Sequence, residues 1–214
     1  MKRITITICT AALLFACKSE VKKADDQKDD TKVAAAATES KHEALPDSVM
    51  MKNWEQYMTP GKEHQMIASW DGEWSGNVTM WNSPGTAPST SNMEATNKMV
   101  MGGRYQQSNI TGTMMGKPFE GMSTMGFDNA KKEFFSTWVD NMGTGVLMTT
   151  GKWDDASKSI TFTGKSTDPT TLKDYDFKEV VTVPDNDHQL MEMYGPGPDG
   201  KEFKSVEIRL TRKK

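Results

Sequence analysis

Trp138 and Asp140 stand two positions apart in the strand-like run Phe134-Phe135-Ser136-Thr137-Trp138-Val139-Asp140, so an indole and a carboxylate share one face with Phe134 and Ser136. Arg104 follows Gly102-Gly103, where the backbone can turn tightly and bring a guanidinium toward the same rim. Together with Tyr105, Glu120 and Glu179 these residues read as a polar cluster at a pocket mouth. As structure, the cluster would be an ion pair locking adjacent hairpins. As a site, it would anchor the head group of an apolar or amphipathic ligand whose tail fills the interior. Asp140 with Glu179 is also the pair that could serve as general acid and base in a hydrolase or isomerase. No Gly-x-Ser-x-Gly elbow, His-Glu-x-x-His helix or phosphate-binding loop occurs, so the sequence offers no specific catalytic motif.

The chain has 17 methionines. Thioethers can hold Cu(I), but they also make adaptable core and pocket walls. Copper would need converging sulfurs near a histidine, and His42 falls in a polar stretch and His188 in a turn. His64, the one histidine suited to a haem, sits at a helix start. Asp185-Asn186-Asp187 lacks the later ligands of a calcium loop and reads as a turn. The expectation is therefore no metal, no cofactor, and methionines lining a core or pocket.

These side chains need a scaffold, and the patterning supplies one. Met50, Trp54 and Met58 recur at helical spacing after Pro46 and Asp47. Thr59-Pro60 fits a second start and His64 to Trp70 a short second helix, and the pair should cover an open end of the core. From Asp71 onward the period changes to two, beginning with Trp74, Gly76, Val78 and Met80. Turn signals at Ser83-Pro84-Gly85, Gly116-Lys117-Pro118, Asp128-Asn129 and Pro198-Asp199-Gly200, among others, divide the rest into about ten strands. These are expected near 72–81, 93–101, 104–111, 120–127, 133–139, 145–153, 159–165, 175–183, 188–194 and 203–212. No helical stretch interrupts them, which excludes βαβ units. Sequential hairpins in this number favour an all-β, up-and-down antiparallel barrel, because closure removes exposed edges.

At the N-terminus, Lys2-Arg3 precede an apolar run from Ile4 to Phe15, which is too short to span a bilayer. The run reads as a signal peptide over 1–16 ending at Leu14-Phe15-Ala16-Cys17, which resembles a bacterial lipobox, with Cys17 the lipidated residue. Residues 17–45 are polar, lack aromatics and read as a flexible tether. Its acidic pairs Asp25-Asp26 and Asp29-Asp30 are either solvated or a surface-sorting signal. The expected folded domain is 46–214. Loss of Lys2 and Arg3 would leave 24 basic (26 − 2) against 29 acidic residues, a net charge of −5. No basic block suggests nucleic acid. The expected partners are a membrane, through lipid on Cys17, and a small apolar ligand. The expected location is the bacterial envelope, on the periplasmic side or the cell surface.

Gly72-x-Trp74 on the first strand, with an arginine on the last, resembles the signature of the calycin superfamily, which includes lipocalins and fatty-acid-binding proteins. That resemblance implies that Trp74 closes one barrel end and that Arg212 packs across it. From about Met58 to Arg212 the chain also resembles a family of secreted or lipid-anchored bacterial proteins known as domain of unknown function 1579. The blocks that carry this include Thr59-Pro60-Gly61, Gly102-Gly103-Arg104-Tyr105, Pro118-Phe119-Glu120-Gly121, Gly126-Phe127-Asp128-Asn129, Ser136-Thr137-Trp138-Val139-Asp140 and Asp199-Gly200-Lys201-Glu202-Phe203-Lys204. It implies a calycin-like barrel and leaves the chemistry open among a ligand carrier, an acid-base enzyme and a filled interaction module.

Overall fold

Alternating apolar residues from Trp74 onward do form strands, ten of them, and they close into a single antiparallel barrel in the computed structural model, which describes residues 44–214. The strands are β1 (Gly72–Met80), β2 (Ser89–Val100), β3 (Tyr105–Met114), β4 (Lys117–Asp128), β5 (Glu133–Asp140), β6 (Leu147–Asp154), β7 (Ser159–Asp168), β8 (Lys173–Thr182), β9 (His188–Pro196) and β10 (Glu202–Arg212). Each pairs with its sequence neighbours, and β1 pairs with β10 to complete the ring. The leader, Cys17 and the tether up to residue 43 lie outside the described residues. Residues Leu45–Lys214 form one compact unit.

The register decides which residues face inward. Trp74 pairs with Arg212, Val78 with Ile208, Ile110 with Gly121, Trp138 with Ser123, and Glu179 with both Phe162 and Met193. Side chains alternate across a strand, so each of these pairs lies on the inner face, and Tyr105, Glu120 and Phe135 lie on the outer one. Several strands run longer than the turn signals imply: β2 begins at Ser89, and β4 begins at Lys117 and takes in Pro118. Proline is tolerated there beside the tight Met115-Gly116 turn, opposite Thr113.

The two barrel ends differ. One carries the β2–β3, β4–β5, β6–β7 and β8–β9 turns together with α2 (Lys62–Ala68), whose Ile67 is fully buried. Ile67 and Trp70 pack with Phe134, Ile160, Phe162, Val181 and Val183 into a core cluster under this cap. The other end carries the loops at 81–88, 115–116, 141–146, 169–172 and 197–201 and, among the described residues, has no helix over it.

The helices depart from expectation in two ways. Gly61, rather than Thr59, is the N-cap of α2, and its backbone N–H donates to His64 Nδ1 (3.0 Å). α1 (Asp47–Met58) buries no residue, and Trp54 on its apolar face is 58% exposed. Of the two described helices, α2 alone covers the core. α1 is held by its C-terminal backbone, where Arg104 Nη2 donates to Met58 O (2.7 Å) and Asn129 Nδ2 donates to Thr59 O (2.8 Å). Among the described residues no helix is long and apolar enough to cross a membrane.

Candidate functional site

The barrel is hollow. A cavity of about 720 Å³ runs from Trp70, Asn97, Gln106 and Gln189 at the capped end to Val146, Pro169 and Leu172 in the loops of the uncovered end. Its walls are the inner faces of the strands, with Val78, Met93, Ile110, Met125, Met191, Met193, Val206 and Ile208 among the apolar lining. This volume falls within the range of small-molecule sites, roughly 300–1,000 Å³.

The floor is built from polar side chains whose hydrogen bonds are committed to the cap. Gln106 Nε2 donates to Ile67 O and to Asp71 Oδ1, each at 2.8 Å. Asn97 Nδ2 donates to Trp70 O (3.2 Å), and Trp74 Nε1 donates to the same carbonyl (3.1 Å). Asp71 Oδ2 accepts from Met99 N (2.8 Å). The carbonyls left over at the C-terminal end of α2 are thus satisfied by the strands beneath it.

Outside this floor Arg212 closes the seam between the first and last strands. Its guanidinium lies 4.3 Å from the Trp74 ring centroid. It donates to Asp71 O, to Ser69 O (2.8 Å) and to Asn186 O (2.7 Å), and pairs with Asp187 at 3.3 Å. Gly72 has φ +130°, and a Cβ there would stand 2.8 Å from Arg212 Nη1, so glycine leaves room for the guanidinium.

Glu179 is the unusual member of the cavity wall. It is 8% exposed, lies six positions along β8 from Lys173 at the uncovered end, and makes no hydrogen bond or ion pair among the described residues. Burial alone pushes its carboxyl up to about 7. Deeper still, Gln189 Nε2 is buried with no hydrogen-bond partner among the described residues.

The cluster expected at the mouth does not assemble. Arg104 stands in the β2–β3 turn at the capped end, whereas Asp140 ends β5 at the opposite end; consecutive turns of an up-and-down barrel alternate ends. Arg104 spends its donors on Met101 O and Met58 O. Tyr105 and Glu120 are on the outer face, Tyr105 edge-on to Phe135. Trp138 and Asp140 do meet, with Trp138 Nε1 donating to Asp140 Oδ2 (2.7 Å) while Oδ1 accepts from Met142 N (2.9 Å). That carboxylate therefore orders the β5–β6 loop at the rim. It shares with Glu120 a shallow hollow of about 400 Å³ also lined by Asn109, Met122 and Asn141. Asp140 and Glu179 are separated by two intervening strands, β6 and β7, so they are not a neighbouring acid-base pair. His64 is buried, edge-on to Phe127 at 6.0 Å, with burial lowering its basicity; it does not line the cavity.

Gln189 and Gln106 were missed by reading the sequence. The available signal was a polar residue at an inward position of a strand that otherwise alternates with apolar ones, as in Gln189-Leu190-Met191.

Residues 59–212 match the family described as "Protein of unknown function (DUF1579)". The chain belongs to this family. No curated protein matches the sequence. Among solved structures, the DUF1579 barrel is similar to Rv2717c from M. tuberculosis, with a TM-score of 0.53 and 12% identity over 73% of this chain and 100% of that one. It is also similar to the S-type phycobiliprotein lyase CPES from Guillardia theta, with a TM-score of 0.50 and 9% identity over 76% of this chain and 97% of that one. At these identities the likeness is one of fold alone, that of a calycin-like barrel.

Proposed function

We propose that this protein is an envelope lipoprotein, anchored through lipid on Cys17, whose barrel carries a small apolar or amphipathic molecule. The observation that carries the reading is the cavity of about 720 Å³, lined by the inner faces of the strands and, among the described residues, uncovered at one end. A filled module would have no use for such a space. Close packing is the norm for protein interiors, and large apolar voids forfeit dispersion contacts unless something occupies them. The anchor is supported by the sequence from Lys2 to Cys17 alone. The polar segment that follows would let the barrel reach roughly 30 Å from the lipid.

Native mass spectrometry of protein purified without added ligand tests the carrier. A bound mass of a few hundred daltons, released on denaturation, is expected. A clean apo mass, together with no binding from an extract of envelope lipids, would overturn it. Metabolic labelling with a fatty-acid analogue tests the anchor. Label is expected on the wild type and absent from Cys17→Ser.

A further inference from the structure

The charge inside the cavity says which kind of ligand fits, an inference that rests on the carrier reading. Among the described residues, the titratable groups lining the cavity are Glu179, deep in the barrel, and Asp140 and Lys165 near the uncovered end. Asp140 is satisfied by Trp138 and Met142, and Lys165 is drawn outward to Asp176 at 2.6 Å. The inward neighbours of Glu179 are Phe162 and Gly164 on β7, Met191 and Met193 on β9, and Phe177 and Val181 on β8, none of which titrates. Arg212, the cation of the closing strand, is turned to the outside carbonyls and is not part of the lining. Among the described residues, the deep half of the cavity thus holds one carboxyl and no positive charge, with the unpartnered Nε2 of Gln189 beyond it.

We infer that the barrel selects an apolar molecule bearing a protonated nitrogen, which enters head first and pairs with Glu179 while its apolar part lies against the methionine-rich wall toward the open end. A carboxylate head would meet Glu179 as a like charge in a medium of low polarity, with nothing to neutralise either group. A cation instead supplies the partner that the carboxyl lacks.

Titration calorimetry of the full chain at pH 8 with decylamine, decanol and decanoate tests this, because the three share one tail and differ only in head charge. Decylamine is expected to bind at least about tenfold more tightly than decanol, and decanoate weakest. In Glu179→Gln, which keeps shape and burial, the preference for the amine is expected to vanish. Unmodified protein gives a second readout. Decylamine keeps its charge between pH 8 and 5.5, yet its affinity is expected to fall about thirtyfold as the carboxyl, whose pKa is about 7 in the empty barrel, takes up a proton. Decanoate binding as tightly as decylamine, or an amine preference that survives both Glu179→Gln and pH 5.5, would sink the inference and leave the carrier standing. Failure of all three probes to bind would overturn the carrier reading with it.

Discussion

A carboxyl group enclosed by phenylalanine and methionine, with no cation opposite it, costs stability wherever it is charged. The pKa of Glu179 rises from 4.5 to about 7 on folding, so the folded state takes up a proton that the unfolded chain releases. On this account stability is greatest below about pH 4.5, falls as pH rises through 7, and is then constant at a loss on the order of 3 kcal/mol. Glu179→Gln should therefore raise the melting temperature by several degrees at pH 8 and change it little at pH 4.5. Thermal unfolding of both proteins at the two pH values checks this, and an equal shift at both would remove the link to ionisation. Gly121 faces a different constraint. A Cβ there would stand 2.3 Å from the Trp138 indole, so Gly121→Ala would push the indole off Asp140. The expected cost is about 1–3 kcal/mol, with a change in tryptophan fluorescence. The glycine in Phe119-Glu120-Gly121 was visible in the sequence, but its cause, an aromatic ring from the next strand lying across the backbone, was not.

At the scale of elements, strand positions followed from period two and from turn residues, and helix existence followed from apolar spacing. The role of α1 did not follow. Its Met50, Trp54 and Met58 form a stripe that ordinarily signals a buried face, yet the helix buries nothing and is attached through backbone carbonyls to Arg104 and Asn129. Apolar periodicity reports that a face exists and is silent about whether anything covers it. Removal of residues 1–57 is accordingly expected to cost under about 1 kcal/mol, since the lost bonds are exposed and Asn129 keeps Thr59 O. Denaturant unfolding of the truncated and longer proteins measures the difference. A loss of several kcal/mol would show that α1 carries packing energy.

For the molecule as a whole, the seam between β1 and β10 joins Trp74 to Arg212 across nearly the entire domain. One guanidinium there gathers the last strand, the end of α2 and the β8–β9 loop by donating to Asp71, Ser69 and Asn186. Arg212→Met would leave these carbonyls without their partner. It should lower stability by about 2–4 kcal/mol, read as a reduced midpoint of chemical unfolding. What the sequence determined by itself was local: strands from alternation, turns from glycine, proline and aspartate, and a barrel from hairpins too numerous to leave an edge exposed. Glu179 was named from the sequence only as a partner for Arg104 or Asp140 at a pocket mouth, and its place deep in the cavity wall, away from both, came from the tertiary structure. Which residues meet was decided by the tertiary structure alone, because strand direction assigns each turn to one end and register assigns each side chain to one face. Three strands, an odd number, run between Arg104 and Asp140 and leave them at opposite ends, and a single position in register turns Glu120 outward. Only closure of the ring shows that the interior is hollow, since the enclosed volume depends on strand number and tilt together, and no segment of the chain contains either.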